Sequence, residues 1–185
     1  MRKLEKTLVL VGMMGAGKTS VGRRLAAVLG VPFRDADSEI ELAAACTVNE
    51  IFERYGEPEF RAGERKVIQR LLLEPPHVLA TGGGAFMDPE TRARIKESAV
   101  SIWLKAHIEL LLERVMRKDT RPLLLNTDRR AALERLLNDR EPVYSQADIT
   151  VESDGGPHEI VVKRILAALQ ASNGAVKDAN LDLHS

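Results

Sequence analysis

The fold is decided by the stretch Val9-Leu10-Val11-Gly12-Met13-Met14-Gly15-Ala16-Gly17-Lys18-Thr19-Ser20. The residues before Gly12 form a short apolar, β-branched run that begins at Thr7 and predicts a buried parallel strand. Three glycines in the following loop free the backbone, so that consecutive N–H groups can turn inward around an anion. A helical pattern begins at Lys18, and the N-terminus of that helix would direct its unpaired N–H groups at the same anion.

The spacing of this loop matches the Walker A phosphate-binding motif, Gly12-x4-Gly17-Lys18-Thr19. In that motif the lysine reaches the β- and γ-phosphates of a nucleoside triphosphate, and the threonine hydroxyl binds Mg²⁺. The alternative is an ordinary glycine-rich turn, which is disfavoured because the strand, loop and helix are all present. We expect Lys18 to lie on an exposed loop.

The composition describes one soluble globular domain. The chain has 185 residues, 44% hydrophobic and 29% charged, with 27 basic and 27 acidic side chains. This balance gives no bulk attraction to nucleic acid or to an anionic membrane. A single cysteine, Cys46, cannot form an internal disulfide, and the first residues lack the apolar core of a signal peptide. We therefore expect a cytoplasmic protein and a monomer.

Two carboxylates follow the first helix. Residues 33–37 are predicted to form a second short strand, on which Asp35 and Asp37 would project to the same face. The carboxyl end of a strand beside a phosphate loop is where open α/β sheets bind ligands, so a substrate or Mg²⁺ role is favoured. The structural alternative is a turn in which Asp37 or Ser38 caps a helix that starts at Glu39.

Several helices are predicted next, and one of them contains two residues that could form an ion pair. Residues 39–45 are predicted as a short helix, Thr47-x-x-Glu50 as a capping box, and residues 55–58 as a break. On the next helix, Arg61 and Glu64 are three residues apart and can touch. They would form a surface ion pair, or Glu64 would hold Arg61 for a substrate carboxylate. The pair alone favours the surface ion pair.

A third strand, residues 77–81, runs directly into three consecutive glycines, Gly82, Gly83 and Gly84. Glycines at a strand end let a ligand approach the main chain directly, which favours a binding loop over a flexible linker. Thr81 would lie near Mg²⁺ and its water.

The remaining elements continue the alternation of strands and helices. Strands are predicted at residues 98–104 and 147–151, and helices after Asp88-Pro89 and at residues 108–116, 128–138 and 158–171. Residues 117–125 combine positive charges with Pro122, which is typical of a solvated corner or of a mobile lid carrying Arg121. The chain is therefore predicted to be a three-layer α/β/α domain with a five-stranded parallel sheet, spanning residues 1–171, followed by a disordered tail at residues 172–185.

Six motifs in order make the chain resemble the shikimate kinase family, which is similar to the P-loop nucleoside monophosphate kinases. The resemblance extends from about Lys6 to Ala171. The motifs are the phosphate loop, Phe33-x-Asp35-x-Asp37, Phe60-Arg61-x-x-Glu64, Thr81-Gly82-Gly83-Gly84, Arg121-Pro122-Leu123-Leu124 and Arg140-x-Pro142-x-Tyr144.

The resemblance implies ATP-dependent phosphorylation of the 3-hydroxyl of shikimate, with Mg²⁺ as cofactor, in chorismate and aromatic amino acid biosynthesis. Asp37, the three glycines, Arg61 and Arg140 would bind shikimate, with Glu64 orienting Arg61. A helical flap at about residues 38–63 would cover it. The nucleotide and metal residues would be Gly15, Ala16, Gly17, Lys18, Thr19 and Ser20 around the phosphates, Thr19 and Asp35 at Mg²⁺, Arg117 on the adenine, and Arg121 on a lid at about residues 117–128. Lys18, Asp37 and Arg121 would be the catalytic residues.

One departure and two alternatives accompany this resemblance. Family members often carry basic residues before a proline after the fifth strand, whereas this chain has Asp154-Gly155-Gly156-Pro157. A gluconate kinase on the same scaffold is an alternative, although the Arg61 and Arg140 pair beside three glycines disfavours it. A catalytically inactive regulatory homologue is disfavoured by the retention of Lys18, Thr19, Asp35, Asp37 and Arg121.

Overall fold

The computed structural model describes residues 4–118 and 126–172. Arg121, most of the predicted lid and all but the first residue of the predicted tail lie outside these residues. No helix in the described part of the chain is long and apolar enough to cross a membrane.

A five-stranded, fully parallel sheet forms the centre of the domain, with the strand order β2-β3-β1-β4-β5. The sheet's central strand, β1, pairs with β3 and β4 along its two edges and is buried along its entire length, as expected for a parallel strand whose two faces are covered by helices. The strands are β1 (Thr7–Val11), β2 (Phe33–Asp35), β3 (Val78–Ala80), β4 (Ala99–Ala106) and β5 (Ile149–Ser153).

Seven α-helices and one short 3₁₀ helix connect and cover these strands in the described part of the chain. The α-helices are α1 (Lys18–Leu29), α2 (Ala36–Ala44), α3 (Val48–Leu72), α4 (Pro89–Ser98), α5 (Ile108–Lys118), α6 (Asn126–Tyr144) and α7 (His158–Ala171), and the 3₁₀ helix is Ala85–Met87. The predicted α/β architecture with a five-stranded parallel sheet is confirmed. Its topology brings the loops that follow β1, β2 and β3 to the same edge of the sheet.

The predicted strand at residues 33–37 is too long. The strand β2 ends at Asp35, whose carboxylate accepts hydrogen bonds from the backbone N–H groups of Asp37 and Ser38 and so caps α2. The expectation that Asp35 and Asp37 share one face of a strand is therefore wrong, and so is the expectation that Asp37 or Ser38 is the cap. A carboxylate that satisfies two N–H groups of a first helical turn favours the helix over continued strand.

Other boundaries also differ from the predicted ones. The capping box at Thr47 is confirmed, but α3 continues to Leu72 with a local break at Gly56, which has φ 80° and ψ 173°. The helix predicted at residues 128–138 continues to Tyr144 with Pro142 inside it, so Arg140 lies on α6. The strands β4 and β5 begin one and two residues later than predicted and both extend further.

Candidate active site

An open cleft of about 410 Å³ lies at the carboxyl edge of the sheet. Its walls come from the phosphate loop (residues 12–19), from Asp35 and Asp37, from Thr81 and the next two glycines, and from α5. The sequence-predicted nucleotide and metal residues therefore line one cavity, with two exceptions. Ala16 is fully buried and does not line it, and Arg121 lies outside the described residues.

The phosphate loop leaves the N-terminus of α1 open towards this cleft. Gly15 and Gly17 have φ values of 80° and 96°, a left-handed backbone that glycine adopts without strain. No side chain caps α1 at Gly17, so the first N–H groups of the helix remain available to an anion. The arrangement is suited to binding the phosphates of a nucleotide.

Lys18 is buried rather than exposed, which corrects the sequence-based expectation. Only 8% of the residue is accessible, and its ammonium donates hydrogen bonds to the carbonyls of Gly12 and Met13 at 2.7 and 2.8 Å. These carbonyls belong to the phosphate loop itself. The lysine therefore holds the loop and lies where it can meet a phosphate.

Thr19 and Asp35 are joined directly. The Thr19 hydroxyl donates a hydrogen bond to Asp35 Oδ2 at 2.9 Å, while Oδ1 of the same carboxylate caps α2. Hydroxyl and carboxylate oxygens are the hard ligands that Mg²⁺ prefers, and Mg²⁺ is commonly held by one or two protein groups plus phosphates and water. The described residues contain no group of three or more acidic, histidine or cysteine side chains that could enclose a metal by themselves. The pair fits an open magnesium site completed by a nucleotide.

Asp37 faces the loop formed by Gly82, Gly83 and Gly84, here called the glycine loop. If Gly82 carried a side chain, its Cβ would lie only 3.1 Å from Asp37 Oδ1, so the carboxylate lies directly against this glycine. Burial and the neighbouring Asp35 carboxylate raise the pKa of Asp37, whereas Lys18 and Arg61 oppose that rise. A raised pKa makes this carboxylate a better proton acceptor than an exposed one.

The glycine loop is the point at which the predicted acceptor-binding side chains meet. A Cβ at Gly83 would lie 3.2 Å from Arg140 Nη1, and one at Gly84 would lie 2.6 Å from Arg61 Nη1. The absence of side chains at these positions leaves room for the two guanidinium groups.

Arg61 and Glu64 form an ion pair with 2.7 Å between Nη1 and Oε2, and only 3% of the Glu64 side chain is exposed. Burial raises the pKa of Glu64, while the Arg61 guanidinium opposes the rise. Oε1 of Glu64 and Nη1 of Arg140 are buried without a hydrogen-bond partner among the described residues. The Arg140 nitrogen needs an acceptor and the Glu64 oxygen needs a donor, so the two atoms fit a ligand that carries both an anionic group and a hydroxyl. The surface-ion-pair interpretation of Arg61 and Glu64 is wrong.

Two residues of the cleft were not identified from the sequence. Arg114 donates a hydrogen bond to the Gly15 carbonyl at 2.9 Å and lines the cleft together with Arg117. The helix predicted at residues 108–116 ends before Arg117, whereas α5 continues to Lys118 and so places both arginines on one helix, three residues apart. Arg117 is itself largely exposed and pairs with Glu113.

His158, the second of these residues, lies at the start of α7 and lines the cleft beside Arg114, since both side chains approach Gly17. Burial, Arg24 and Arg114 lower its pKa. The preceding turn pairs Asp154 with Arg164 at 2.8 Å, so the acidic residue of that turn is neutralised locally.

Comparison with known proteins gives one consistent family. A family model described as shikimate kinase matches residues 14–170. The shikimate kinase of Caulobacter vibrioides is 59% identical over 168 residues, which cover 91% of this chain and 84% of that protein. The shikimate kinase of Bradyrhizobium diazoefficiens is 56% identical over 166 residues, covering 90% and 80% of the two chains.

Solved structures agree with these relatives. Shikimate kinase from Acinetobacter baumannii, in complex with shikimate, is 40% identical with a TM-score of 0.83, covering 91% of this chain and 94% of that one. Shikimate kinase from Aquifex aeolicus is 32% identical with a TM-score of 0.78, covering 90% and 98%. A gluconokinase from Sinorhizobium meliloti is 18% identical with a TM-score of 0.61, covering 92% and 95%, which indicates a shared fold alone.

Proposed function

This chain belongs to the shikimate kinase family, and we propose that the cleft and the glycine loop described above are the two halves of its active site. The chain is an ATP-dependent kinase that uses Mg²⁺ and transfers the γ-phosphate to the 3-hydroxyl of shikimate. The products are ADP and shikimate 3-phosphate. The roles of individual residues follow from their positions.

Arg61 and Arg140 bind the carboxylate of the acceptor. Both guanidinium groups face the glycine loop, and Nη1 of Arg140 is buried without a partner among the described residues. A guanidinium matches a carboxylate with two parallel hydrogen bonds, which an ammonium cannot do. Glu64 holds Arg61 in orientation through the 2.7 Å ion pair. Gly82, Gly83 and Gly84 let the acceptor lie against the main chain.

Asp37 orients the hydroxyl that attacks the phosphoryl group. Its carboxylate lies between the phosphate loop and the glycine loop, within the influence of both Lys18 and Arg61. Phosphoryl transfer proceeds through a loose transition state, so alignment of the hydroxyl matters early and acceptance of its proton matters late. The raised pKa of Asp37 suits it to both tasks.

The nucleotide occupies the phosphate loop and the α5 wall. Backbone N–H groups of residues 15–20 and the Lys18 ammonium neutralise the phosphates, as positive groups do in phosphoryl transfer. Thr19 and Asp35 would hold Mg²⁺, which neutralises charge on the β- and γ-phosphates when bound. Arg114 and His158 also face this space. Arg117 is assigned to the adenine, and Arg121 to a lid over the phosphates (residues 117–128), as the family resemblance implies.

The acceptor assignment rests on one observation: the side chains of Asp37, Arg140 and Arg61 all lie against the three consecutive glycines. The test is an ADP-release assay with shikimate, with gluconate and without acceptor, at equal concentrations of MgATP. We expect turnover with shikimate to exceed both other rates by at least about a hundredfold, because a polar site rejects an acceptor that leaves its groups unpaired. Equal rates with gluconate would overturn the acceptor assignment.

Assembly and location complete the proposal. We propose a cytoplasmic monomer without nucleic-acid or membrane partners. The balance of 27 basic and 27 acidic residues supports the absence of those two partners, because it provides no bulk attraction to a polyanion. Light scattering at several protein concentrations tests the assembly state, since a dimer would raise the measured mass to twice 20.4 kDa.

A further inference from the structure

Two side chains of α6 converge on one glycine of the glycine loop. The Tyr144 hydroxyl donates a hydrogen bond to the Gly83 carbonyl. Arg140 Nη1 lies 3.2 Å from the position that a Cβ would take at the same glycine. Residues four apart on a helix lie on the same face, one turn from each other. Tyr144 and Arg140 therefore approach Gly83 as one rigid unit.

The position of Tyr144 is fixed by packing that does not involve the glycine loop. Tyr144 is completely buried, and its ring lies 5.9 Å from that of Trp103 on β4. An ion pair of 2.7 Å between Lys105 and Glu141 ties the same part of α6 to the same strand. The hydroxyl is thus held by the sheet, and its bond to Gly83 places the loop relative to α6.

The Tyr144 hydroxyl also borders the phosphate loop, since it lies 3.9 Å from Met13 Sδ. Met13 is one of the two residues whose carbonyls accept hydrogen bonds from Lys18. The hydroxyl consequently lies where the phosphate loop, the glycine loop and the carboxylate-binding helix meet. Burial raises the pKa of Tyr144, although the neighbouring Arg140 and Arg61 guanidinium groups oppose the rise, so the hydroxyl stays a neutral hydrogen-bond donor at physiological pH.

We propose that Tyr144 is a positioning residue for acceptor binding, which sets the separation between the Arg140 guanidinium and the backbone of Gly83. This inference rests on the proposed assignment of Arg140 to the shikimate carboxylate. Without the hydroxyl, the Gly83 carbonyl loses its donor, and the loop moves relative to the guanidinium. A small change in spacing matters because two-point binding of a carboxylate depends on the relative position of its partners.

The test is Tyr144→Phe, which removes one oxygen atom and keeps the ring against Trp103. We expect the Kd for shikimate to rise roughly 5- to 30-fold, the effect of one hydrogen bond to a well-packed site. The Kd for MgATP without shikimate should stay within about twofold. Ser145→Ala is the matched control, because it removes a hydroxyl from the next residue, whose bond goes to the exposed Pro142 carbonyl. That variant should match the wild type.

A double-mutant cycle separates positioning from a general loss of structure. If Tyr144 acts through Arg140, Tyr144→Phe should cost clearly less shikimate affinity in an Arg140→Lys background than in the wild type. Additive losses, unchanged shikimate affinity, or equal weakening of both substrates would each overturn the inference. Failure of the wild type to bind shikimate would overturn the proposed function itself, which distinguishes the two outcomes.

Discussion

The Arg61 guanidinium pairs with Glu64 at 2.7 Å across one turn of α3, and only 3% of the Glu64 side chain is exposed to solvent. The second oxygen of this carboxylate has no hydrogen-bond partner among the described residues. It faces Gly82 of the glycine loop, where an added Cβ would lie 3.1 Å from it. A buried ion pair costs desolvation of both charges, so it contributes little to stability by itself. Its consequence is orientation: Glu64 restricts the guanidinium to the face that meets the glycine loop.

Replacing Arg61 with lysine should weaken shikimate binding by about 1.5–3 kcal/mol, since an ammonium cannot reproduce a two-point contact with a carboxylate. The affinity for MgATP should barely change, because Arg61 does not line the nucleotide cleft. Calorimetric titration with each substrate separately measures both values. Equal losses for the two substrates would show that Arg61 supports the structure rather than the acceptor.

An alanine at Gly84 should interfere with the same guanidinium from the other side. Its Cβ would lie 2.6 Å from Arg61 Nη1, so the flexible arginine has to move while the backbone, which has φ −92°, tolerates alanine. We expect roughly tenfold weaker shikimate binding, the loss of one charged hydrogen bond, with little change in melting temperature.

Gly63→Ala is the control for this steric argument. That glycine lies on α3, and no atom of a neighbouring residue comes within 4 Å of the place where a Cβ would stand, so an added methyl group meets open space. The substitution should leave shikimate affinity unchanged and stabilise the helix by up to about 1 kcal/mol. Weakened binding in both variants would contradict the specific contact between Gly84 and Arg61.

Local sequence was sufficient to predict the phosphate loop, because strand, glycines and helix are adjacent and each imposes its own backbone geometry. The same reasoning failed at Asp35, where a side chain that bonds to two N–H groups ends the strand and starts a helix. The helix predicted at residues 128–138 in fact continues past Pro142 to Tyr144, which packs into the core.

The meaning of the Arg61–Glu64 pair could not be read from its spacing. Three-residue spacing on a helix is the same for an exposed pair and for a buried one. In the folded protein, the glycine loop approaches Glu64, which is buried, and gives the Arg61 guanidinium a second neighbour. In the sequence this loop follows β3, which itself comes after the end of α3. Long-range packing of this kind is absent from any local pattern.

Lys18→Met should lower kcat/KM by at least about a hundredfold, because it removes positive charge from the site of developing negative charge. The buried position adds a second effect: the carbonyls of Gly12 and Met13 lose their donor. We therefore expect a lower melting temperature as well, measured by calorimetry beside the steady-state rates. Near-normal turnover would contradict the nucleotide assignment of this loop.

Arg121→Ala should lower kcat by roughly a hundredfold or more if its charge acts mainly in the transition state, as an arginine finger does. Shikimate affinity without nucleotide should change little. Single-turnover phosphoryl transfer and equilibrium binding to the nucleotide-free variant measure the two effects. A normal chemical step, or a large loss of nucleotide-free shikimate binding, would contradict this role.

Asp37→Asn should stabilise the ligand-free protein while it removes activity. The pKa of Asp37 is raised in the folded state by burial and by Asp35, so the folded protein binds its proton more tightly than the unfolded chain does. The stabilisation that comes from this tighter proton binding is therefore fully present at pH values below the pKa of Asp37 in the unfolded chain. It is lost as the pH rises through the pKa of Asp37 in the folded protein. At a pH of about 7.5 the ionised carboxylate destabilises the fold, and a neutral asparagine lacks that penalty.

Thermal unfolding at two pH values tests this sign directly. We expect Asp37→Asn to melt at a higher temperature than the wild type at pH 7.5. The difference should shrink as the pH falls through the raised pKa of the wild-type carboxyl, which then becomes neutral. Asp154→Asn is the opposite control: Arg164 lowers the pKa of that exposed carboxyl, so its loss should not stabilise the protein at neutral pH. A wild type that melts above Asp37→Asn at neutral pH would show that Asp37 is retained for the fold rather than for the reaction.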